Sequence, residues 1–524
     1  FWFKGLYFLS MKNKLFIGLF YFISIIHCQV WIDASPESIN YYEFENEFNI
    51  NNKNIIRPFL RDADYNISFA FNRDFYFNNN APNQENMSNK YFSKGLGSFT
   101  SYKIALKRKF IFLTAEPYIL KSSNKHVLTP IYPKTYTNQN QVERPSERPG
   151  GFKWLNDRPL EDELKNSGIR EFQLYLYYKG LSAGIANVNR WWGPGVHTSL
   201  SMSNNTAGFP HYYFGLSDIN FFNKNIKFNF NYIVGEVGEY ERPYYFTGII
   251  ASLTHNTIEN DITIGFTRSY VSGGINLTGD RQWYLKDAAL LPIEGLLLSS
   301  KKDLWYTEGK GTDRWDQIMT FIAQGNFKQS NLKVFVEIGF NDHLHNLYEL
   351  RAHWDVSAAY LYGIRKKGFF GNKNIIFGVE YLDLIQRTFS DHRGTTATWF
   401  DEAIYNSNTY MGRRWSAHSG FDSDDFYLFM GYQGKKWTIL PAFNYERHGV
   451  VYHFPPEVKI EMRLSLIYKY DGWIFDLYFE NEYFENIGFT NSNDNVWLNN
   501  PLPNSFRKTD TVILRIQKTL NFNI

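Results

Sequence analysis

The stretch TVILRIQKTLNFNI, residues 511–524, decides the fold. Val512, Leu514, Ile516, Leu520, Phe522 and Ile524 fall on one side of an extended chain, interrupted only by Lys518. Thr511, Arg515, Gln517, Thr519, Asn521 and Asn523 fall on the other, interrupted only by Ile513. Successive side chains of a strand point to opposite faces, so one face suits lipid and the other water. Strands of this kind cross a bilayer only as a closed barrel, because closure alone satisfies every strand edge.

The pattern recurs along the chain, with joining segments that are alternately short and long. Phe172, Leu174, Leu176 and Tyr178 alternate up to Lys179-Gly180, and a return strand starts at Leu181. Ile226, Phe228, Phe230, Tyr232 and Val234 follow a turn at 223–225. Ile262, Ile264 and Phe266 follow the polar segment 256–261, and Leu332 to Phe340 follow a turn near Gln329 and Ser330. Further turns are expected at 107–109, 366–372, 433–436 and 470–472. Eight hairpins, a first strand at about 63–72 and the C-terminal strand give about eighteen strands, with both ends on the side of the short turns. The expected fold is therefore all-β: a transmembrane antiparallel β-barrel with short periplasmic turns and long extracellular loops. The long connections include 73–96, 121–168, 187–211, 271–314 and 384–423. Loop 121–168, rich in proline and charge, is too polar to face lipid and is expected to fold into the lumen or cap it.

Composition agrees with this. A mean hydropathy of -0.40 is too low for a helical membrane protein. Aromatics make up 19% of the chain, as two interfacial girdles require, although an AT-rich genome raises Phe and Tyr too. With 55 basic and 52 acidic residues there is no excess of positive charge to bind nucleic acid. The single cysteine, Cys28, excludes an internal disulfide and a Cys-based metal site. It closes a segment with Lys12, Lys14 and a mostly apolar run from Leu15 to Ile26, of signal-peptide length. The expected organisation is an upstream extension plus cleaved signal peptide at 1–28, a short periplasmic segment at 29–60, and the barrel at 61–524. Residues 29–60 are expected to form a small strand at 42–50 or a short plug.

One loop stands apart. Asn189-Arg190-Trp191-Trp192-Gly193-Pro194-Gly195 is followed by Ser203-Asn204-Asn205 and Gly208-Phe209-Pro210-His211. Two adjacent indoles beside Gly-Pro-Gly form a rigid turn with large flat surfaces. Such faces stack on sugar rings while Asn and His bond hydroxyls; equally, the loop packs back on the barrel wall with Trp as an anchor. Residue chemistry leaves both readings open.

This block resembles the outer-membrane capsule assembly family of the Wzi type, which shows a WWGPG block followed by an S-N-N-x-x-G-F-x-H-like run. Looser likenesses follow in Glu337, Asn341, Asp342 and His343; in Tyr410-Met411-Gly412, His418-Ser419-Gly420 and Asp422-Ser423-Asp424; in Tyr445 to His448; and in 480–489. They extend from about 140 to 490. The resemblance implies an eighteen-stranded barrel in the outer membrane of a Gram-negative-type bacterium. It implies binding of capsular or extracellular polysaccharide at the cell surface, without catalysis or cofactor. Residues 29–60 are too short for the periplasmic helical bundle of some members.

Candidate carbohydrate-binding or loop-scaffold residues are Trp191, Trp192, Asn204, Asn205, His211, Asp342, His343, His418 and Asp424. No metal ligand set is assigned. Expected partners are the polysaccharide, outer-membrane lipid and lipopolysaccharide, and the polysaccharide export machinery; the barrel is expected to be a monomer and to bind no nucleic acid. The alternative function is a diffusion channel for sugars or other small solutes, since a barrel of this size encloses a lumen. A surface hydrolase is disfavoured: Asp342-His343 and Asp391-His392 are adjacent pairs, which a strand would point to opposite faces.

Overall fold

The computed structural model describes residues 28–32, 55–63, 66–83, 85–125, 127, 163–237, 244–273, 284–297, 315–341, 358–385, 409–410, 413–451, 455–489 and 504–522. Within them an antiparallel barrel of 18 strands closes on itself. We number its strands β1 (Ile67–Asn78), β2 (Gly95–Arg108), β3 (Ile111–Ala115 and Pro117–Ser122), β4 (Leu164–Ile169 and Gln173–Tyr178), β5 (Leu181–Ala186), β6 (His211–Phe221), β7 (Asn223–Glu236), β8 (Tyr244–Asn256) and β9 (Asn260–Gly273). The others are β10 (Trp315–Phe327), β11 (Leu332–Asn341), β12 (Ala358–Phe369), β13 (Asn372–Asp383), β14 (Ser423–Gln433), β15 (Trp437–His448), β16 (Glu457–Tyr470), β17 (Trp473–Glu485) and β18 (Arg507–Phe522). Each pairs with its neighbours, and β18 closes the ring against β1, from Phe522↔Ile67 to Thr511↔Asn78. β3 and β4 each break in the middle, at Glu116 and at 170–172.

The alternation in β18 is real, and both exceptions have a physical reason. Leu514, Leu520 and Phe522 are exposed on the outer wall, where lipid replaces water. Ile513 faces inward but meets no water: it is buried with Tyr76, Phe99 and Tyr478 in a lumenal apolar cluster. Lys518 points outward at the short-turn rim, where Nζ donates to the Asp471 carbonyl and sits 5.4 Å from the Trp473 ring centroid. A lysine at the bilayer edge keeps its head among polar groups in this way.

All eight short turns fall where the sequence places them, although the one expected at 223–225 sits earlier, at Phe222. The first strand is shifted: it runs from Ile67 to Asn78, not 63–72, so the loop after it spans 79–94. Inward Asp74, Tyr76 and Asn78 carry the polar face past the point where Arg73 breaks the outer one; Arg73 lies 4.6 Å over the Phe75 ring. Aromatics gather beside the short turns: Tyr178, Phe221, Phe222, Phe370, Trp437 and Tyr470 are all exposed there. That is one interfacial girdle.

Loop 271–314 carries a helix that the sequence reading lacked, α1 (Leu285–Leu297). It lies on the outer wall at the long-loop end of β7–β9, where Ala288 and Leu291 cover Val234, Tyr245 and Tyr270, and Thr247 Oγ1 donates to the Ala288 carbonyl at 3.0 Å. No helix among the described residues is long and apolar enough to cross a membrane.

Cys28–Ile32 pairs antiparallel with Phe59–Ala63. Of the segment 29–60, expected to form a small periplasmic strand or a short plug, residues 55–58 lie within the barrel. Ile55, fully buried, reaches the inner wall at Gly265. The strand expected at 42–50, the apolar run 15–26, most of loop 121–168 and the pairs Asp342-His343 and Asp391-His392 fall outside the described residues.

Candidate functional site

After β5 the chain turns into the lumen. Trp191–Trp192 forms a two-residue ladder with Ile56–Arg57, Trp192 N–H donates to the Met202 carbonyl at 3.1 Å, and Gly193 N–H donates to the Ile55 carbonyl at 2.9 Å. Both indoles are fully buried. Trp192 joins a large apolar cluster with Phe246, Ile250, Ile322, Phe335 and Trp415; Trp191 packs with Val196, Ile376 and Phe429. Burial removes them as stacking platforms for sugar, and the open choice between stacking and wall-packing falls to packing. Gly193 has φ 152°, and a Cβ there would stand 2.1 Å from Glu337 Oε1, so only glycine fits.

The wall holds this plug by its backbone. Glu380 on β13 accepts from the N–H groups of Val196 at 2.7 Å, His197 at 3.1 Å and Thr198 at 3.4 Å. Glu337 on β11 accepts from Leu200 N–H at 3.0 Å. Arg57 donates to the carbonyls of Gly193 at 2.7 Å and Gly195 at 3.3 Å, and Arg365 on β12 donates to that of Pro194. Ionisable side chains thus satisfy the peptide groups of a loop that has no strand partner over this length.

Two other segments lie against the plug. Ser203 N–H donates to the Trp415 carbonyl at 2.7 Å, Asn205 Nδ2 to Arg414 O at 3.0 Å and Thr206 Oγ1 to Tyr410 O at 2.5 Å. Asn189 Nδ2 donates to Asn204 Oδ1 at 2.8 Å, and Ser88 N–H from loop 79–94 to Asn204 O at 2.9 Å. His211 anchors the return: its Nδ1 lies 2.7 Å from the Phe209 carbonyl and so carries the proton, leaving Nε2 to accept from Arg190 Nε at 2.9 Å. The segments singled out around residues 191–211, 337, 410–422 and 445–448 therefore meet in one place.

A buried ionic cluster adjoins the plug. His418 Nε2 is 3.2 Å from Asp425 Oδ2, 3.4 Å from Glu446 Oε1 and 3.6 Å from Glu85 Oε2. Burial alone would pull this imidazolium down, but the charges of Glu446 and Asp425 outweigh it and push His418 up to about 10. His197 stacks on Tyr427 with centroids 4.1 Å apart, and its Nε2 is 3.0 Å from Asp425 Oδ2. Asp424 points to the opposite side of β14, pairs with Arg447 and takes no part. Asp342 and His343 are outside the described residues. Glu85, Arg57, His197, Arg365, Glu380 and Asp425 were not singled out from sequence. The signal available for three of them was an ionisable residue on the inward face of a strand.

Below the plug, between β1 and β2 on one side and β13–β18 on the other, lies a cavity of about 930 Å³. Its ceiling includes Asn86, His197 and Asn204; its floor reaches the short turns at Lys435, Asp471 and Gly472.

No protein-family model matches the chain, and no curated protein matches it. Solved structures do. The chain is similar in fold to Wzi of Escherichia coli, an outer membrane protein involved in group 1 capsule assembly and described as a carbohydrate-binding β-barrel. The identity is 10%, over 87% of this chain and 85% of that one, with a TM-score of 0.51. It also aligns with OprD of Pseudomonas aeruginosa (8% identity, 88% and 95% covered, TM-score 0.43) and with OccAB4 of Acinetobacter baumannii (10%, 87% and 98%, 0.38). At such identities the likeness is one of fold, and the fold is that of outer-membrane β-barrels.

Proposed function

We propose that this chain is an exported outer-membrane protein, its signal peptide cleaved, that holds capsular or other extracellular polysaccharide at the cell surface without chemically altering it. The observation that carries the reading is the plug: residues 187–210, fixed by Glu337, Arg365 and Glu380, fill the lumen where a channel would need an open path. The fold likeness to a carbohydrate-binding barrel supports it. Trp191, Trp192, Asn204, Asn205 and His211 serve as scaffold beneath the polymer-facing loops, not as the contact surface. Lipid and lipopolysaccharide surround a monomeric barrel, and the export machinery delivers the polymer.

A diffusion channel is the second reading, favoured by the cavity beneath the plug, which charged side chains such as Lys435, Arg463 and Asp476 help to line. Two measurements on the detergent-solubilised protein separate them. The expected result is retention of polysaccharide on a glycan array together with near-silent planar bilayers. Steady conductance without glycan retention would replace the first reading with the second.

A further inference from the structure

The cluster at Glu85, His197, His418, Asp425 and Glu446 has the donor set and spacing of a metal site. Its four members Glu85, His197, His418 and Glu446 each offer one ligand atom, all within 4.8 Å of one another. The contacts of Asp425 Oδ2 with the two imidazoles, at 3.0 and 3.2 Å, and of His418 Nε2 with Glu446 Oε1, at 3.4 Å, are the edges of a polyhedron. An ion with bonds of about 2.0–2.2 Å separates its ligand atoms by about 3.0–3.5 Å.

A second observation is independent of spacing. The His418 side chain is only 2% exposed, yet neither ring nitrogen has a well-directed hydrogen bond among the described residues, and the same holds for Asp425 Oδ2. His418 Nε2 and Asp425 Oδ2 are held by ion-pair contacts alone, while His418 Nδ1 has no hydrogen-bond partner among the described residues; buried polar atoms placed in this way call for an explanation, and a bound ion supplies one. The cations beside them are engaged with the carboxylates: Lys459 Nζ with Glu446 Oε1 at 3.2 Å, with Glu461 Oε1 at 2.8 Å and with Glu85, Arg463 with Glu85 Oε2 at 3.0 Å, and His448 Nε2 with Glu446 Oε2 at 3.1 Å, so an ion displaces part of this pairing when Glu85 and Glu446 turn to it.

We propose that these residues bind one first-row divalent transition ion, with His197 and His418 as nitrogen ligands and Glu85, Glu446 and Asp425 as oxygen ligands. Two imidazoles with carboxylates select zinc, manganese or iron over calcium or magnesium, which prefer all-oxygen shells. Binding takes His197 Nε2 from the Asn444 amide, 3.1 Å away, which keeps its bond to Asp425 Oδ1 at 2.5 Å. It also displaces the His418 proton, so ion uptake releases protons. The ligands come from three loops, 79–94, 187–210 and 413–422, and from β14 and β15. The ion therefore ties the plug and both of its neighbours to the wall.

The test uses the full-length barrel in detergent, stripped with a chelator, re-equilibrated with Zn²⁺ or Mn²⁺, and passed through a desalting column before elemental analysis. About one ion per chain should remain, and Ca²⁺ should not compete. A His197→Ala/His418→Ala double variant should weaken binding at least tenfold, by analogy with losses of about 10–100-fold for changes to supporting residues alone. Heat-modifiable gel migration reports whether the variant is folded. Where it is not, His197→Gln, which keeps an amide against Asn444, takes its place with the same expectation. No retained ion in the wild-type protein, or equal retention by wild type and a folded variant, overturns the site.

Discussion

Two halves of one lumen are built on the same strand alternation and end up as opposites. Along β4–β13 the WWGPG plug packs against the inner face, which is apolar where β8 turns Phe246, Gly248 and Ile250 inward under Trp192 and ionisable where Glu337, Arg365 and Glu380 clamp the plug's backbone. Along β14–β18, β1 and β2 the inner face mixes charge with an apolar cluster: β16 turns Glu461, Arg463 and Ser465 inward, Tyr76, Phe99, Tyr478 and Ile513 pack together, and much of the space is the 930 Å³ cavity. A strand that is apolar on both faces has something other than water inside the barrel. A strand that alternates cleanly borders solvent or buried charge. On β8 the second face therefore reports where the plug sits.

The comparison breaks first at the plug itself. Trp192→Ala deletes a fully buried indole from the packed half and should cost about 3–5 kcal/mol, read as a lower unfolding temperature by heat-modifiable migration. A shift no larger than that of a surface variant would mean that the indole does not hold the plug. Next comes the clamp. Glu380→Gln replaces a carboxylate that accepts from three N–H groups with an amide whose own N–H opposes them. Hydrogen bonds to charged groups are worth about 1.5–3 kcal/mol each, and a loss in that range is expected. The loosened plug should also admit brief openings in planar bilayers where the wild type is silent. A variant as silent and as stable as wild type would remove Glu380 from the account.

The barrel was legible because lipid and water impose a period of two on every strand, so about eighteen strands and the approximate places of the eight short turns could be read from the sequence. The plug was legible only as a composition, two Trp beside Gly-Pro-Gly, since nothing local says whether a long loop turns outward or inward. The evidence lay elsewhere in the chain. YYFTGIIASLTHN at 244–256 keeps Phe246 and Ile250 on the face that should be wet, an anomaly that makes sense once Trp192 is placed against it. Glu337 was picked out by family likeness, and its role is now plain; Glu380 and Arg365 had no such flag and look like any other lumenal charge. The cluster at His418 was illegible for a deeper reason: its members come from positions 85, 197, 418, 425 and 446, and only barrel closure brings β1's loop beside β14 and β15. Helix α1 was missed because it follows no strand period and lies in a segment read as loop.

The finest test asks whether the two halves differ in free volume or only in polarity. In the packed half, a Cβ at Gly248 would stand 2.8 Å from Trp192 Cη2 and Cζ3 and 2.9 Å from Phe246 Cε1, with rings on both sides that have nowhere to go. Gly248→Ala adds one methyl group, yet overpacking of a filled core costs about 1–3 kcal/mol, and that loss is expected in the unfolding temperature. In the hollow half, Ser465 borders the cavity, and Ser465→Phe adds a whole ring where there is room for it. That larger change should stay within about 0.5 kcal/mol of wild type, as substitutions away from packed or buried polar groups do. The inversion, a methyl costing more than a phenyl, follows from packing alone and owes nothing to polarity. If Ser465→Phe proves the more damaging of the two, the space beneath the plug is filled in solution, and the contrast between the halves reduces to the kind of side chain that lines them.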